Sequence, residues 1–288
     1  MKITLPAAVL GLASLLAVGC STTEHVNSDG TYPIDPAKCS NDESTYDYKV
    51  SSDACTRLIQ SAATKKADLV DYYYYRGNNY LDQAEYPTAI QDFDAALKLD
   101  PNYLDALNSR GIAYQSMGNY DAALADYDRL TELKPDYPYA YGDRGSLYAL
   151  QGDEAKAVPQ LNRAIELAKG NGLSYRTRCY GYGLLKKEDL AVADCNQALN
   201  LRSDDDIALV FRGYAHYHAG HLDAAIADYN AALHIYPKNV SALYARGVAY
   251  AAQGKTDLAK ADLTAARSAR PHVDVLFNLQ GIKPPAGL

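Results

Sequence analysis

Bulky, small and polar side chains recur along this chain with a period of 34 residues. Numbering each period from 1, the units run 70–103, 104–137, 138–171, 172–205, 206–239 and 240–273. Position 11 carries Tyr80, Tyr114, Tyr148, Tyr182, His216 and Tyr250, and position 24 carries Phe93, Tyr127, Leu161, Cys195, Tyr229 and Leu263. Position 8 is Gly77, Gly111, Gly145, Cys179, Gly213 and Gly247. Position 20 is alanine in every unit: Ala89, Ala123, Ala157, Ala191, Ala225 and Ala259. Gly118, Gly152, Gly220 and Gly254 interrupt the apolar pattern of four units near its middle, where a turn with positive φ is cheap for glycine. Pro101, Pro135, Pro237 and Pro271 close four of the units, because proline cannot continue a helix. The pattern predicts two antiparallel helices per unit. Small residues at positions 8 and 20 let the helices approach, and large residues at 4, 11 and 24 fill the space between neighbours. One such pair buries too little surface alone, so the units must stack into a solenoid with a continuous core.

These residue types at these offsets resemble the tetratricopeptide repeat (TPR), and the resemblance covers residues 70–273. It implies an all-α, right-handed superhelical solenoid of about six helix–turn–helix units. Residues 37–69 read as a degenerate N-terminal helical unit whose second helix contains Cys55 to Ile59. Residues 274–288 read as a C-terminal cap, with Val275 to Gly281 as a short helix stopped by Pro284 and Pro285. The unit 172–205 departs from the pattern, with cysteines at positions 8 and 24, Ser203 in place of proline, and Lys169-Gly170-Asn171-Gly172 before it. A bend or hinge is expected there.

The N-terminus reads as a targeting segment. Lys2 precedes an apolar run from Ile3 to Val18 that is short for a membrane span. The run ends Leu16-Ala17-Val18-Gly19-Cys20-Ser21. This resembles the lipobox of bacterial lipoproteins, with Ala17 where leucine is usual. The resemblance implies removal of residues 1–19 and lipidation at Cys20 by acyl chains such as palmitate. Each buried CH₂ would contribute about 0.8 kcal/mol to anchoring. Ser21 rather than Asp after the cysteine implies sorting to the outer membrane, facing the periplasm. Ordinary signal cleavage, giving a soluble periplasmic or secreted chain, is the alternative. Residues 20–36 read as a flexible tether.

Apart from Cys20, four cysteines remain, an even number for an oxidising compartment. Cys39 and Cys55 stand 16 residues apart, and so do Cys179 and Cys195. Of the three connectivities, these two local pairs are expected; positions 8 and 24 lie on facing sides of a helix pair, so Cys179 and Cys195 can be bridged. Free buried thiols acting as small hydrophobes are the alternative.

The net charge of −7 becomes −8 when residues 1–19, which contain only Lys2 among charged residues, are removed. An acidic chain argues against nucleic acid, whose phosphates need clustered Lys and Arg. No nucleophile elbow, phosphate loop or zinc-protease motif occurs, so neither an enzyme nor a cofactor is expected. Arg76, Arg110, Arg144, Arg178, Arg212 and Arg246 at position 7 match Asp92, Asp126, Gln160, Asp194, Asp228 and Asp262 at position 23. They read as a structural ion-pair ladder. His216 reads as a core histidine, and of the cluster only His218 and His221 are expected to share a face. Further ligands are missing, and no metal site is assigned.

In the TPR family, positions 2, 5, 9 and 12 face a concave groove. The resemblance places Tyr74, Asn78, Asn108, Gln115, Tyr180, Tyr214, Tyr217 and Tyr244 there, beside Asp71, Asp105, Ser146 and Arg176. Such an aromatic and amide surface suits a peptide segment. The implied function is a non-enzymatic protein–protein adaptor at the bacterial envelope, with envelope proteins as partners. A small-ligand or glycan receptor using the tyrosine-lined groove is the alternative. The lysines with which some TPR domains clamp a C-terminal carboxylate are missing.

Overall fold

The computed structural model describes residues 36–40, 47–61, 64–270 and 273–287. The leader, Cys20 and the tether as far as residue 35 lie outside the described residues. Among the described residues every regular element is an α-helix. The chain forms two compact parts, one ending at Leu133 and one beginning at Lys134. The N-terminal part holds α1 (Pro36–Ser40), α2 (Tyr48–Gln60), α3 (Lys66–Asp82), α4 (Tyr86–Leu99), α5 (Leu104–Ser116) and α6 (Tyr120–Leu133). The C-terminal part holds α7 (Pro138–Leu150), α8 (Glu154–Leu167), α9 (Gly172–Leu184), α10 (Glu188–Leu201) and α11 (Asp206–His218). It continues with α12 (Leu222–Ile235), α13 (Val240–Ala252), α14 (Thr256–Ala269) and α15 (Val273–Leu279). From α3 to α14, odd-numbered helices are the first (A) helix of a repeat and even-numbered ones the second (B). Each A helix packs on its own B helix. In the C-terminal part each B helix also packs on the next A helix, and α9 packs on both α7 and α11.

Glycine at position 8 sets the closeness of the A–B pair. A Cβ built on Gly77 or Gly111 would lie 2.6 Å from the ring of Phe93 or Tyr127, respectively, and Gly213 is as tight against Tyr229. Leu161 and Leu263 fill the same space against Gly145 and Gly247, at 2.8 and 2.9 Å. The ring or isobutyl group at position 24 therefore occupies the volume that a side chain at position 8 would need. In repeat 172–205 a disulfide between Cys179 and Cys195 replaces that pair. Cys39 and Cys55 are also bonded, at the same 16-residue separation. They stand in the position 8 and 24 relation, so α1 and α2 continue the repeat in a register beginning at residue 32. That register sits four residues out of step with the unit at 70, and α3 absorbs the offset by starting one turn early, at Lys66.

The A helices end alike. Gly118, Gly152, Gly220 and Gly254 have φ of 76°, 76°, 84° and 75°. The next residue's N–H returns to the last turn, as from Asn119 to the Tyr114 carbonyl at 2.9 Å. Ala84 and Lys186 hold the same left-handed place, with φ of 60° and 58° and without glycine's freedom. At the expected bend before repeat 172–205, Lys169 and Gly170 form a tight left-handed turn, Asn171 caps α9, and α9 packs directly on α7 and α8.

The arginine at position 7 makes a three-way fork. Arg212 donates from Nε and Nη2 to Asp228 at 2.9 and 2.5 Å, and from Nη1 to Asn196 of the preceding repeat at 2.5 Å. Arg178 and Arg246 do the same with Asp194 and Asn162, and with Asp262 and Asn230. In the N-terminal part Arg110 joins Asp126 and Asp94, and Arg76 joins Asp92 and Thr56. Position 25 is thus the second partner, tying each of these repeats to the one before it. Tyrosines at positions 4 and 11 lie near the guanidinium planes, as Tyr175 and Tyr182 do about Arg178 at 5.9 and 5.6 Å.

Two measurements follow from this packing. Cys179→Gly with Cys195→Tyr restores the pair used elsewhere in the stack. In urea unfolding with and without reductant, the double variant is expected to lose about 3 kcal/mol less on reduction than the wild type. Asp143 in α7 is 6% exposed, its Oδ2 has no hydrogen-bond partner, and burial pushes its pKa up to about 8. A folded value above the unfolded one means stability is full at low pH and falls as pH rises from the ordinary carboxylate value toward 8. Asp143→Asn is expected to be near neutral at pH 4 and to stabilise by at least about 1 kcal/mol at pH 8, read from unfolding curves at both pH values.

Candidate functional site

In the N-terminal part, the A-helix face of α3 and α5 carries a polar and aromatic cluster. Tyr74 lies edge-on to Tyr103, with centroids 5.4 Å apart, and its hydroxyl lies near Asn78 and Ser109. Burial, with Asp105 nearby, pushes the Tyr74 phenol up to about 12. Tyr103 donates its hydroxyl to Asp71 at 2.7 Å. Asn78, Asp71 and Asp105 remain partly exposed around these rings. A shallow pocket beside them is lined by Lys66, Val70, Asp71, Leu99, Asp100 and Tyr103. Two expected groove residues point elsewhere. Asn108 is buried, and Gln115 accepts the hydroxyl of core Tyr127 at 3.2 Å.

In the C-terminal part the expected open tyrosine surface is corrected. Tyr180, Tyr214 and Tyr244 are 4%, 3% and 0% exposed. Tyr180 packs on Phe211 at 4.7 Å, and Phe211 on Tyr214 at 5.8 Å. Phe277 of α15 completes the row, edge-on to Tyr214 at 5.9 Å and stacked on Tyr244 at 4.5 Å. Asp274 accepts the Tyr244 hydroxyl at 2.9 Å and a two-point contact from Arg267 at 2.7 and 2.9 Å. Val273 and Ile282 are fully buried, and the His218 ring lies beside the backbone of Gln280 and Gly281. The C-terminal helix therefore does more than close the end of the stack: it reaches back across α13 to α11 and lies on their A-helix face. Of the expected groove residues in this part, only Tyr217 keeps part of its ring exposed. Of the two tyrosines on which the glycan alternative most depends, Tyr214 is covered and Tyr217 stays partly exposed.

The histidines also differ from expectation. His216 and His221, rather than His218 and His221, come together. Both direct Nδ1 at the same oxygen, Oε1 of Glu188, at 2.6 and 2.7 Å. Glu188 comes from the preceding repeat, 33 residues before His221. Lys187 and Glu154 pair across the same offset at 2.8 Å, so a search at one repeat length minus one would have found the glutamate.

Removal of the Phe277 ring tests how α15 is held. A helix of seven residues has little stability of its own, so Phe277→Ala is expected to release it rather than unfold the repeats. Hydrogen exchange should become fast over 273–282 and stay slow in α9 to α13. A fall of many degrees in the global Tm would instead make α15 an integral part of the core.

A TPR repeat model matches residues 77–118 and 213–254, and two tetratricopeptide repeat models match 109–172 and 241–272. Together they span 77–172 and 213–272, more than half of the chain. No curated protein sequence matches the chain. Among solved structures, a tetratricopeptide repeat protein from Parabacteroides merdae ATCC 43184 aligns with TM-score 0.65 and 18% identity, over 85% of this chain and 95% of that one. A thermophilic TPR protein of Thermus thermophilus aligns with TM-score 0.57 and 23% identity, over 62% and 98%. PilW, a type IV pilus biogenesis factor, aligns with TM-score 0.52 and 17% identity, over 73% and 98%. At these identities the structural matches establish the helix-pair stack alone. Together with the 34-residue register and the repeat models, they make this chain a member of the tetratricopeptide repeat family.

Proposed function

We propose that the chain is a protein-binding scaffold tethered at the bacterial envelope, and that its A-helix faces take an extended or helical segment of a partner protein. TPR domains generally serve as protein–protein interaction scaffolds, typically without catalysis. The observation that carries the reading is α15, a short helix seated on the A-helix face of the C-terminal part by one aromatic anchor and one carboxylate. A face that holds such a segment in cis has the chemistry to hold one in trans. In the N-terminal part the corresponding face offers Tyr74 and Tyr103 beside Asp71 and Asp105, which favours a segment with an apolar or aromatic anchor flanked by Lys or Arg. The partner acts by equilibrium binding, and the lipid at Cys20 fixes the complex at the outer membrane.

Photocrosslinking in living cells from Asn78 and Tyr217, with Leu190 and Leu258 on B helices as controls, tests the binding face. One discrete protein captured from the A-helix positions alone is expected. Equal capture from the controls, or none from any position, would contradict it. Cys20→Ala is expected to move the protein from the membrane to the soluble fraction, and retention there would remove the tether.

A further inference from the structure

We propose that Glu188, His216 and His221 form a binding site for a divalent transition-metal ion of the Zn²⁺ type. Three elements supply the ligands. Glu188 opens α10, His216 lies in the last turn of α11, and His221 is the residue that precedes α12. One donor atom from each lies within 4.8 Å of the other two. Two imidazole nitrogens and one carboxylate oxygen are a donor set for zinc and its neighbours in the first transition row. Magnesium and calcium prefer sites made of oxygen alone.

Hydrogen bonding within the cluster also points to a cation. His216 faces a carboxylate at each ring nitrogen: Glu188 Oε1 lies 2.6 Å from Nδ1, and Asp228 Oδ2 lies 3.8 Å from Nε2. A neutral imidazole carries one N–H, so one of its nitrogens would aim a lone pair at an anion. Protonation to the imidazolium or an ion on Nδ1 removes that conflict, and the ion leaves Nε2–H directed at Asp228. Arg212 fixes Asp228 by two hydrogen bonds, so the carboxylate is already oriented. Metal-bound histidines commonly have such a carboxylate behind them. On the other side, Glu188 Oε1 accepts from both Nδ1 atoms. One ion would replace these two protons, the ligand atoms moving apart to about 3.4 Å as tetrahedral bonds of 2.0–2.1 Å require.

Access and context fit the same assignment. The side chains of His216 and Glu188 are 19% and 20% exposed, while that of His221 is 63% exposed. The cluster is held on its inner side and open on its outer side, which leaves room for a water ligand and for an ion to enter. It is also additional to what the repeat needs. Tyr114, Tyr182 and Tyr250 occupy the place of His216 in other repeats and lie on their own repeat's arginine. The histidine instead turns to the neighbouring repeat. The ion would clamp α10 of one repeat to α11 and α12 of the next.

The repeat supplies variants that keep the fold: His216→Tyr takes the residue its siblings carry, and His221→Asn takes the residue that Asn119 provides in repeat 104–137. The untagged full chain, stripped with chelator, is titrated with ZnCl₂ by calorimetry and with Co²⁺ by absorption. One Zn²⁺ per chain with Kd of about 10 μM or tighter is expected. Visible Co²⁺ bands, a Tm raised by Zn²⁺, and no competition from millimolar Mg²⁺ or Ca²⁺ should accompany it. Each variant, and Glu188→Gln, is expected to weaken binding by about tenfold or more and to lose the Tm response while keeping its helical circular dichroism. Absence of one-to-one binding in the wild type would overturn the proposal. So would binding undiminished in His216→Tyr and His221→Asn, which would place the ion elsewhere.

Discussion

The close approach of two helices at a glycine governs everything else in this molecule. With no side chain at position 8, the ring or isobutyl group at position 24 lies directly against the A-helix backbone, and the alanine at position 20 lets the B helix lie flat beside it. That contact fixes the angle and depth of each pair. Fixed pairs bring the position 7 arginine within reach of Asp at position 23 and of Asp, Asn or Thr at position 25 in the repeat before. The position 23 carboxylates in these forks, Asp92, Asp126, Asp194, Asp228 and Asp262, are buried, so each depends on its arginine, and removing that arginine would leave an uncompensated group. Where a cysteine replaces the glycine, a second cysteine replaces the ring, and a covalent bond does the work of packing. Within each part, repetition of one contact therefore gives a row of A helices.

The two parts use their rows differently. In the N-terminal part the face is acidic and aromatic, with its phenols engaged by neighbouring Asp and Asn side chains and its rim open to solvent. In the C-terminal part the face is more aromatic, and the chain's own last helix lies on it. A seven-residue helix depends on what it packs against, because its few backbone hydrogen bonds barely offset the cost of nucleation. Phe277 and Asp274 are its anchors, one apolar and one charged, which is the usual economy of a recognised segment. The cis segment thus covers apolar surface at the end of the stack.

Much of this was legible in the sequence because repetition averages out local ambiguity. The A helices of the later repeats begin at Leu104, Pro138, Gly172, Asp206 and Val240, the first residues of their periods, and both disulfides could be inferred from spacing. The Arg–Asp pairing was legible too, but its second partner was not. Position 25 varies among Thr, Asp and Asn, and only the stacking geometry shows why each serves as an acceptor. Exposure of Tyr180, Tyr214 and Tyr244 could not be read from position within the repeat. What covers them is partly Phe211, at a position that varies among Tyr75, Ser109, Asp143, Thr177 and Ala245 in the other repeats, and partly a helix that is not a repeat at all. The Glu188 cluster escaped for a related reason. Residues 28 and 33 positions apart become neighbours only when the stack is built. The four-residue offset before α3 was hidden because the N-terminal pair keeps the cysteines of the repeat and little else of its pattern.

The central claim, that the A-helix face accepts a helical segment, is tested most directly by supplying the cis segment in trans. The chain truncated after Arg270 would be titrated with a peptide of residues 271–288, with circular dichroism to verify that the repeats remain folded. Saturable one-to-one binding is expected, with Tyr214 and Tyr244 protected from solvent on saturation and with the Phe277→Ala peptide inactive. A folded truncated chain that ignores the peptide would show that α15 is held by its tether alone, and the A-helix face would lose its claim to bind.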